Sequence, residues 1–164
     1  MRKLITASVF VLLSLCFAAV PLSADYDFTP DYHEVASSGF TAAIYDDADL
    51  LSKSEELEIG VDYLLPIAEQ YGNAYLITLY SDGTEIGTLG DQLFDQYIGN
   101  TADGILFTID MKTRQLGLWS DGSVLNKIRP STADSILDNW YTSASRGDFA
   151  GCAEGVFGNV YDKR

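Results

Sequence analysis

The sequence predicts a three-layer α/β domain, a small mixed β-sheet with helices on both faces. Three observations carry that reading. From Thr41 to the C-terminus, short apolar or aromatic runs alternate with stretches of helical period, the pattern of βαβ units. The run Ile105-Leu106-Phe107-Thr108-Ile109 is apolar at nearly every position, as expected of a strand covered on both faces. Only Asp110–Arg114 separates it from a second run, Gln115–Trp119, so the two form an antiparallel hairpin.

The chain opens on an export signal. Met1-Arg2-Lys3 is basic, Leu4 to Val20 is mostly apolar, and Leu22-Ser23-Ala24 ends in a small residue before Asp25. Residues 1–24 are therefore expected to be removed. If they are kept, Leu4–Val20 is long enough, at the short edge of the range, to serve as a membrane anchor. Leu13-Ser14-Leu15-Cys16 has the outline of a lipoprotein acylation site, but Leu15 is too large for it. Cleavage leaves Cys152 as the one cysteine, so no intramolecular disulfide is expected despite the oxidising destination. Residues 25–42 read as a flexible leader. Asp25–Gly39 is polar, carries Pro30 and lacks a period, so its deletion is expected to leave the melting transition unchanged.

The remaining elements follow in the order β-α-β-α-β-β-α-α. Thr41–Tyr45 is a short strand. Ser52-Lys53-Ser54-Glu55 is a capping box that opens a helix, with Leu57, Val61, Leu64, Ala68 and Tyr71 on one face and Gly72 as its stop. Pro66 lies inside it and is expected to kink or split it. Ala74–Tyr80 is a strand, and Ser81-Asp82-Gly83 a turn. Leu89, Leu93, Phe94 and Tyr97 mark a second helix. After the hairpin, Ser131-Thr132-Ala133-Asp134 opens a third helix with Ala133, Ile136, Leu137, Trp140 and Ala144 on one face. Arg146-Gly147-Asp148 breaks it, and a last helix carries Phe149, Cys152, Ala153, Val156 and Val160. In that break Gly ends one helix and Asp starts the next, a structural use of an integrin-type triplet.

Charge narrows the function. The 164 residues hold 10 Lys+Arg against 24 Asp+Glu, a net charge of −14. Phosphate backbones and anionic lipid surfaces require clustered basic residues, so nucleic acid and membrane surfaces are excluded as partners. The single histidine, His33, falls in the leader, which leaves a Ser/His or Cys/His nucleophile pair and a zinc site without their ligands. Carboxylates are what remains, and they serve hard cations or acid/base work.

Three separated motifs resemble the TPM domain family. They are Ile44-Tyr45-Asp46-Asp47-Ala48-Asp49-Leu50-Leu51-Ser52 with Glu55-Glu56, then Gly99-Asn100-Thr101-Ala102-Asp103-Gly104-Ile105-Leu106-Phe107, then Arg146-Gly147-Asp148-Phe149. The resemblance covers residues 43–162. It implies an extracytoplasmic α/β domain, often calcium-binding, with acid phosphatase activity proposed for plant relatives. One departure is plain: where the family commonly has Gly-x-Gly-Leu-Glu after the hairpin, this chain has Trp119-Ser120-Asp121-Gly122-Ser123-Val124-Leu125, without the Glu.

The candidate metal ligands are Asp46, Asp103 and Asp121. Asp103 begins one hairpin strand and Asp121 follows its partner, so antiparallel pairing brings them to one sheet edge. Carbonyls around Asn100–Ala102 and Gly122 are then placed to complete a calcium shell. Asp46 occupies the recurrent Asp of the family. The competing reading is that Asp103 and Asp46 serve local turns. Asp82 and Asp110 follow parallel strands, where ligands bind in open α/β sheets, but turn chemistry is the stronger reading of them. Cys152 lies on an apolar face and reads as an inert core thiol. The expectation is an exported, monomeric accessory module that binds calcium and acts through an envelope or membrane protein. The alternative is a weak metal-assisted acid phosphatase.

Overall fold

A computed structural model describes residues 26–99, 102–126 and 128–162. Residues 1–24, expected to be an export signal and including Leu4–Val20 and Cys16, lie outside them. Five strands form one sheet in the order β1-β2-β3-β4-β5. They are β1 (Tyr32–Val35), β2 (Thr41–Asp46), β3 (Asn73–Leu79), β4 (Gly104–Asp110) and β5 (Gln115–Asp121). The three inner strands are parallel, and each edge strand is antiparallel to its neighbour. The helices are α1 (Lys53–Glu58), a π-helical stretch Ile59–Leu64, α2 (Leu65–Gln70), α3 (Ile86–Tyr97), α4 (Pro130–Ser145) and α5 (Phe149–Asp162).

Strand alternation divides the interior into two layers. Ala42, Ile44, Leu76, Ile105 and Phe107 face the 53–70 helix, α4 and α5. Ala43, Tyr45, Tyr75, Ile77 and Leu106 face α3. The three-layer sandwich is thus the observed architecture. Phe107 meets Phe157 of α5 edge-on, with ring centroids 5.9 Å apart. Both parallel crossovers step the same way across the sheet, yet their helices lie on opposite faces. The two crossovers therefore have opposite hands, and one departs from the right-handed rule.

The 53–70 helix begins where the sequence places it. Glu55 accepts the Ser52 amide at 2.7 Å, and Ser52 Oγ accepts the Glu55 amide at 3.4 Å. Its middle is interrupted at Pro66, as expected: the stretch before it is π-helix, and α2 restarts with Pro66 in its first turn, where the missing amide and the ring are tolerated. The extra residue per turn also shifts the buried face. Leu57 and Val61 are exposed, while Glu56, Ile59 and Gly60 are buried in their place.

Residues 26–35 are not a flexible leader. β1 pairs with β2 from Tyr32↔Ile44 to Val35↔Thr41. Ahead of it, Phe28 stacks on Tyr97 with centroids 5.9 Å apart, and its amide donates to the Tyr97 hydroxyl at 3.0 Å. Tyr32 lies so close over the π-helical stretch that a Cβ on Gly60 would sit 2.6 Å from its ring. The sequence conceals this because β1 is a short edge strand whose last three side chains, His33 included, are exposed. Backbone pairing holds it, and backbone pairing leaves no apolar alternation to read.

Cys152 sits where its helical spacing puts it, fully buried among the apolar side chains of α5. Burial pushes its thiol up to about 11. Thiol reagents should therefore leave the native protein unmodified until denaturant is added. Cys152→Ala should cost about 1 kcal/mol, read as a shift in the urea midpoint.

Candidate functional site

The sheet presents carboxylates at two opposite edges, and they are held differently. At the C-terminal edge of the parallel strands, Asp46 ends β2 and is 7 % exposed. It accepts the Leu50 and Leu51 amides at 3.1 and 2.8 Å and the Thr78 hydroxyl of β3. Its own amide donates to Asp31 at 2.8 Å, and Lys53 bridges Asp31 and Glu56 at 2.6 and 2.9 Å. Burial acts against the Asp31 charge, but Lys53 and the Asp46 amide outweigh it and hold Asp31 below its usual range. Glu56 goes the other way: burial raises it, with Lys53 opposing.

Asp110 ends β4 at the same edge and has no exposed surface. It accepts the Ser81 amide and hydroxyl at 3.1 and 2.7 Å, the Lys112 amide at 2.9 Å and the Thr113 hydroxyl at 2.5 Å. Burial opposes its charge, and these four donors together hold it below the ordinary carboxylate range. Asp82 folds back on the Thr84 amide at 2.8 Å. These groups tie the β2–α1, β3–α3 and β4–β5 turns to the sheet. The turn chemistry weighed for Asp46, Asp82 and Asp110 is what the hydrogen bonds show.

The opposite edge differs. Gly104 pairs with Asp121, so Asp103 and Asp121 do arrive at one end of the hairpin. Asp103 accepts the Ser123 amide at 2.5 Å and Asp121 the Gly122 amide at 2.7 Å, each through Oδ1. Among the described residues neither Oδ2 accepts a hydrogen bond. Gly122 is obligatory here: its φ is +63°, and a Cβ would fall 1.9 Å from Asp103 Oδ1. Alternation along β4 and β5 turns Asp121 toward the α3 face, whereas Asp103 starts on the other face. There Asp121 borders a hollow of about 320 Å³ with Asp91 and Asp95 of α3.

The structure therefore brings Asp103 and Asp121 to one end of the hairpin, starting on opposite faces, and leaves Asp46 at the opposite end of the strands, about 20 Å away along them. Asn100 and Thr101, whose carbonyls were expected to help, lie outside the described residues. Among the described residues no three His, Cys, Asp or Glu side chains converge as a ready-made ion site. Sequence reasoning missed Asp91 and Asp95, although their i, i+4 spacing on a helix is itself a signal that they share a face. No helix among the described residues is long and apolar enough to cross a membrane.

A family model described as the TPM domain matches residues 44–162. Two solved structures are similar in fold. One is the solution NMR structure of the N-terminal domain of the cg2496 protein from Corynebacterium glutamicum, 20% identical, with TM-score 0.58, covering 72% of this chain and 76% of that one. The other is the solution NMR structure of the N-terminal domain of a P. gingivalis protein, 19% identical, with TM-score 0.60, covering 71% of this chain and 78% of that one. No curated protein sequence matches.

Proposed function

The chain belongs to the TPM domain family, and from that premise we propose that it is an exported accessory module that binds a divalent cation, calcium, and acts through a protein partner in the cell envelope. The observation that carries the cation half is the contrast between the two sheet edges. Asp46 and Asp110 spend their oxygens on local donors, whereas Asp103 and Asp121 each keep one oxygen uncommitted at a shared edge. Two carboxylates with loop carbonyls and water make the oxygen-rich shell calcium takes, at the weak affinities of extracellular modules. The export half rests on the basic, apolar and small-residue pattern of residues 1–24.

A cation that binds only the native state raises thermal stability by mass action. At ten times its Kd calcium should add roughly 1.4 kcal/mol, a shift of several degrees in Tm. The Asp103→Ala, Asp121→Ala double variant should melt at the same temperature with and without calcium. An equal calcium shift in that variant, or none in the parent at millimolar calcium, overturns the reading.

A metal-assisted acid phosphatase is the second reading. What favours it is a hollow of about 270 Å³ beside Asp110, lined by Arg114, Tyr141 and Ser145, which is roomy enough for a phosphoryl group. Against it stands the saturation of Asp110, which leaves no free carboxylate oxygen there to take a proton. Hydrolysis of a chromogenic phosphate ester that is abolished by Arg114→Ala would favour it. Activity indifferent to that change would belong to a contaminant.

A further inference from the structure

β5 is an edge strand with an open side. Every second residue of an edge strand turns its N–H and C=O away from the sheet. β4 and β5 are in register without interruption from Gly104↔Asp121 to Asp110↔Gln115, so no bulge twists this edge away. The strand reads Gln-Leu-Gly-Leu-Trp-Ser-Asp and carries neither the Lys nor the Pro that commonly guards an exposed edge. Among the described residues, no backbone group outside β4 pairs with it. The other edge is unlike it, being only four residues long.

A trough follows this edge. It consists of hollows of about 650, 240 and 320 Å³ lined on β5 by Gln115 and Leu116, by Leu118 to Ser120, and by Trp119 to Asp121. The two walls have different chemistry. On the α4 side the lining is mostly apolar, with Leu118, Leu125, Ile128 and Ala133 beside Ser120 and Asp134. On the α3 side it is acidic, with Asp91, Asp95 and Asp121. The helix α3 is seated tightly there, since a Cβ on Gly90 would fall 1.8 Å from the Trp119 ring. Asp134 and Asp138 add two exposed carboxylates on the α4 rim. None of these five acids forms an ion pair among the described residues. Of the nearby described cations, Arg114 lines the hollow at the Gln115 end, and Arg129 lies between Ile128 and Pro130 beside the apolar hollow.

We infer that β5 is a docking edge for an extended segment of a partner protein in which apolar residues alternate with Lys or Arg, added to the sheet as a sixth strand. Main-chain bonds to the edge supply affinity, and alternate side chains are read by the two walls. Residues two apart on a strand are about 6.6 Å apart. The four residues of α3 from Asp91 to Asp95 advance about 6.0 Å. Successive basic side chains therefore meet successive aspartates, while the residues between them enter the apolar hollow. A second copy of this chain is a poor occupant, because pairing β5 with β5 sets two acidic walls against each other. This inference deepens the accessory-module reading by naming the chemistry of its partner, and it rests on the partner half alone.

The test uses a fluorescent eight-residue peptide of alternating Val and Lys, titrated into the protein in the presence of a chelator so that cation binding plays no part. Saturable binding is expected. N-methylation of alternate peptide amides keeps charge and side chains but removes the ladder, and should weaken binding at least about tenfold. Asp91→Asn with Asp95→Asn should weaken it by a similar factor while leaving the urea midpoint unchanged. A Val–Glu peptide should not bind. Equal binding by the N-methylated or the Val–Glu peptide overturns the inference, as does the absence of saturable binding. A stable dimer in sedimentation that the Val–Lys peptide fails to dissociate would give the edge to a second copy, and would overturn it too.

Discussion

Removal of residues 26–36 should lower stability by about 3 kcal/mol or more, read as a drop in the urea midpoint. The loss has several sources. Phe28 leaves Tyr97, and the ring of Tyr45 beside it, 4.7 Å from Tyr97 between centroids, is opened to water. Tyr32 leaves the face of Gly60. β2, otherwise buried along its length, becomes an edge strand with unpaired backbone. Asp46 loses the acceptor for its amide. The exposed Lys53–Asp31 pair adds little to the total, because solvent screens it. A midpoint unchanged by the deletion would return these residues to the status of a leader.

Asp110→Ala should be comparably damaging, about 3 kcal/mol at neutral pH. The substitution strands the buried Ser81 amide and hydroxyl and the partly buried Lys112 amide and Thr113 hydroxyl. Removing one charged acceptor from several donors costs more than any single bond, since the buried Ser81 donors then lack a partner. The pH dependence follows with a definite sign. The carboxyl of Asp110 is held below its ordinary value, so its contribution is complete above the unfolded value near about 3.9 and is lost as pH falls through the folded one. Asp31 acts with the same sign. Glu56, raised by burial, acts with the opposite one: what it contributes is complete at low pH and fades as pH rises through its folded value. The parent should therefore lose stability in acid below about pH 4, and Asp110→Ala should show a shallower acid slope. A loss under about 1 kcal/mol with an unchanged acid slope would mean that Asp110 does not clamp the turns.

What was legible in the sequence was whatever leaves a side-chain pattern. The run Ile105–Ile109 announced a strand covered on both faces, and β4 is buried throughout. Ser52 and Glu55 announced a helix start, and both reciprocal bonds form. The spacing of Cys152 with Val156 and Val160 announced a buried stripe. What was hidden is held by backbone or by departure from ideal period. β1 pairs through its main chain and shows mostly exposed side chains, so nothing repeats. Leu57 and Val61 fit a 3.6-residue period, but the π-helical stretch ahead of Pro66 changes the period locally. At the site, hairpin logic correctly joined Asp103 to the end of β5. The place of Asp46 depended on the direction of β2 relative to β4, a long-range property that local spacing does not encode.

We propose that calcium binds at the Asp103–Asp121 edge. Calcium titration into the ¹⁵N-labelled protein, followed residue by residue through amide chemical shifts, tests it most directly. The bound ion should move the amides of Gly104, Gly122 and Ser123, which border the two carboxylates, with one saturable dissociation constant. The Leu50 and Leu51 amides, which are committed to Asp46, should stay still. Shifts centred on Leu50 and Leu51 with Gly122 and Ser123 unmoved, or no saturable shift anywhere, would contradict the account.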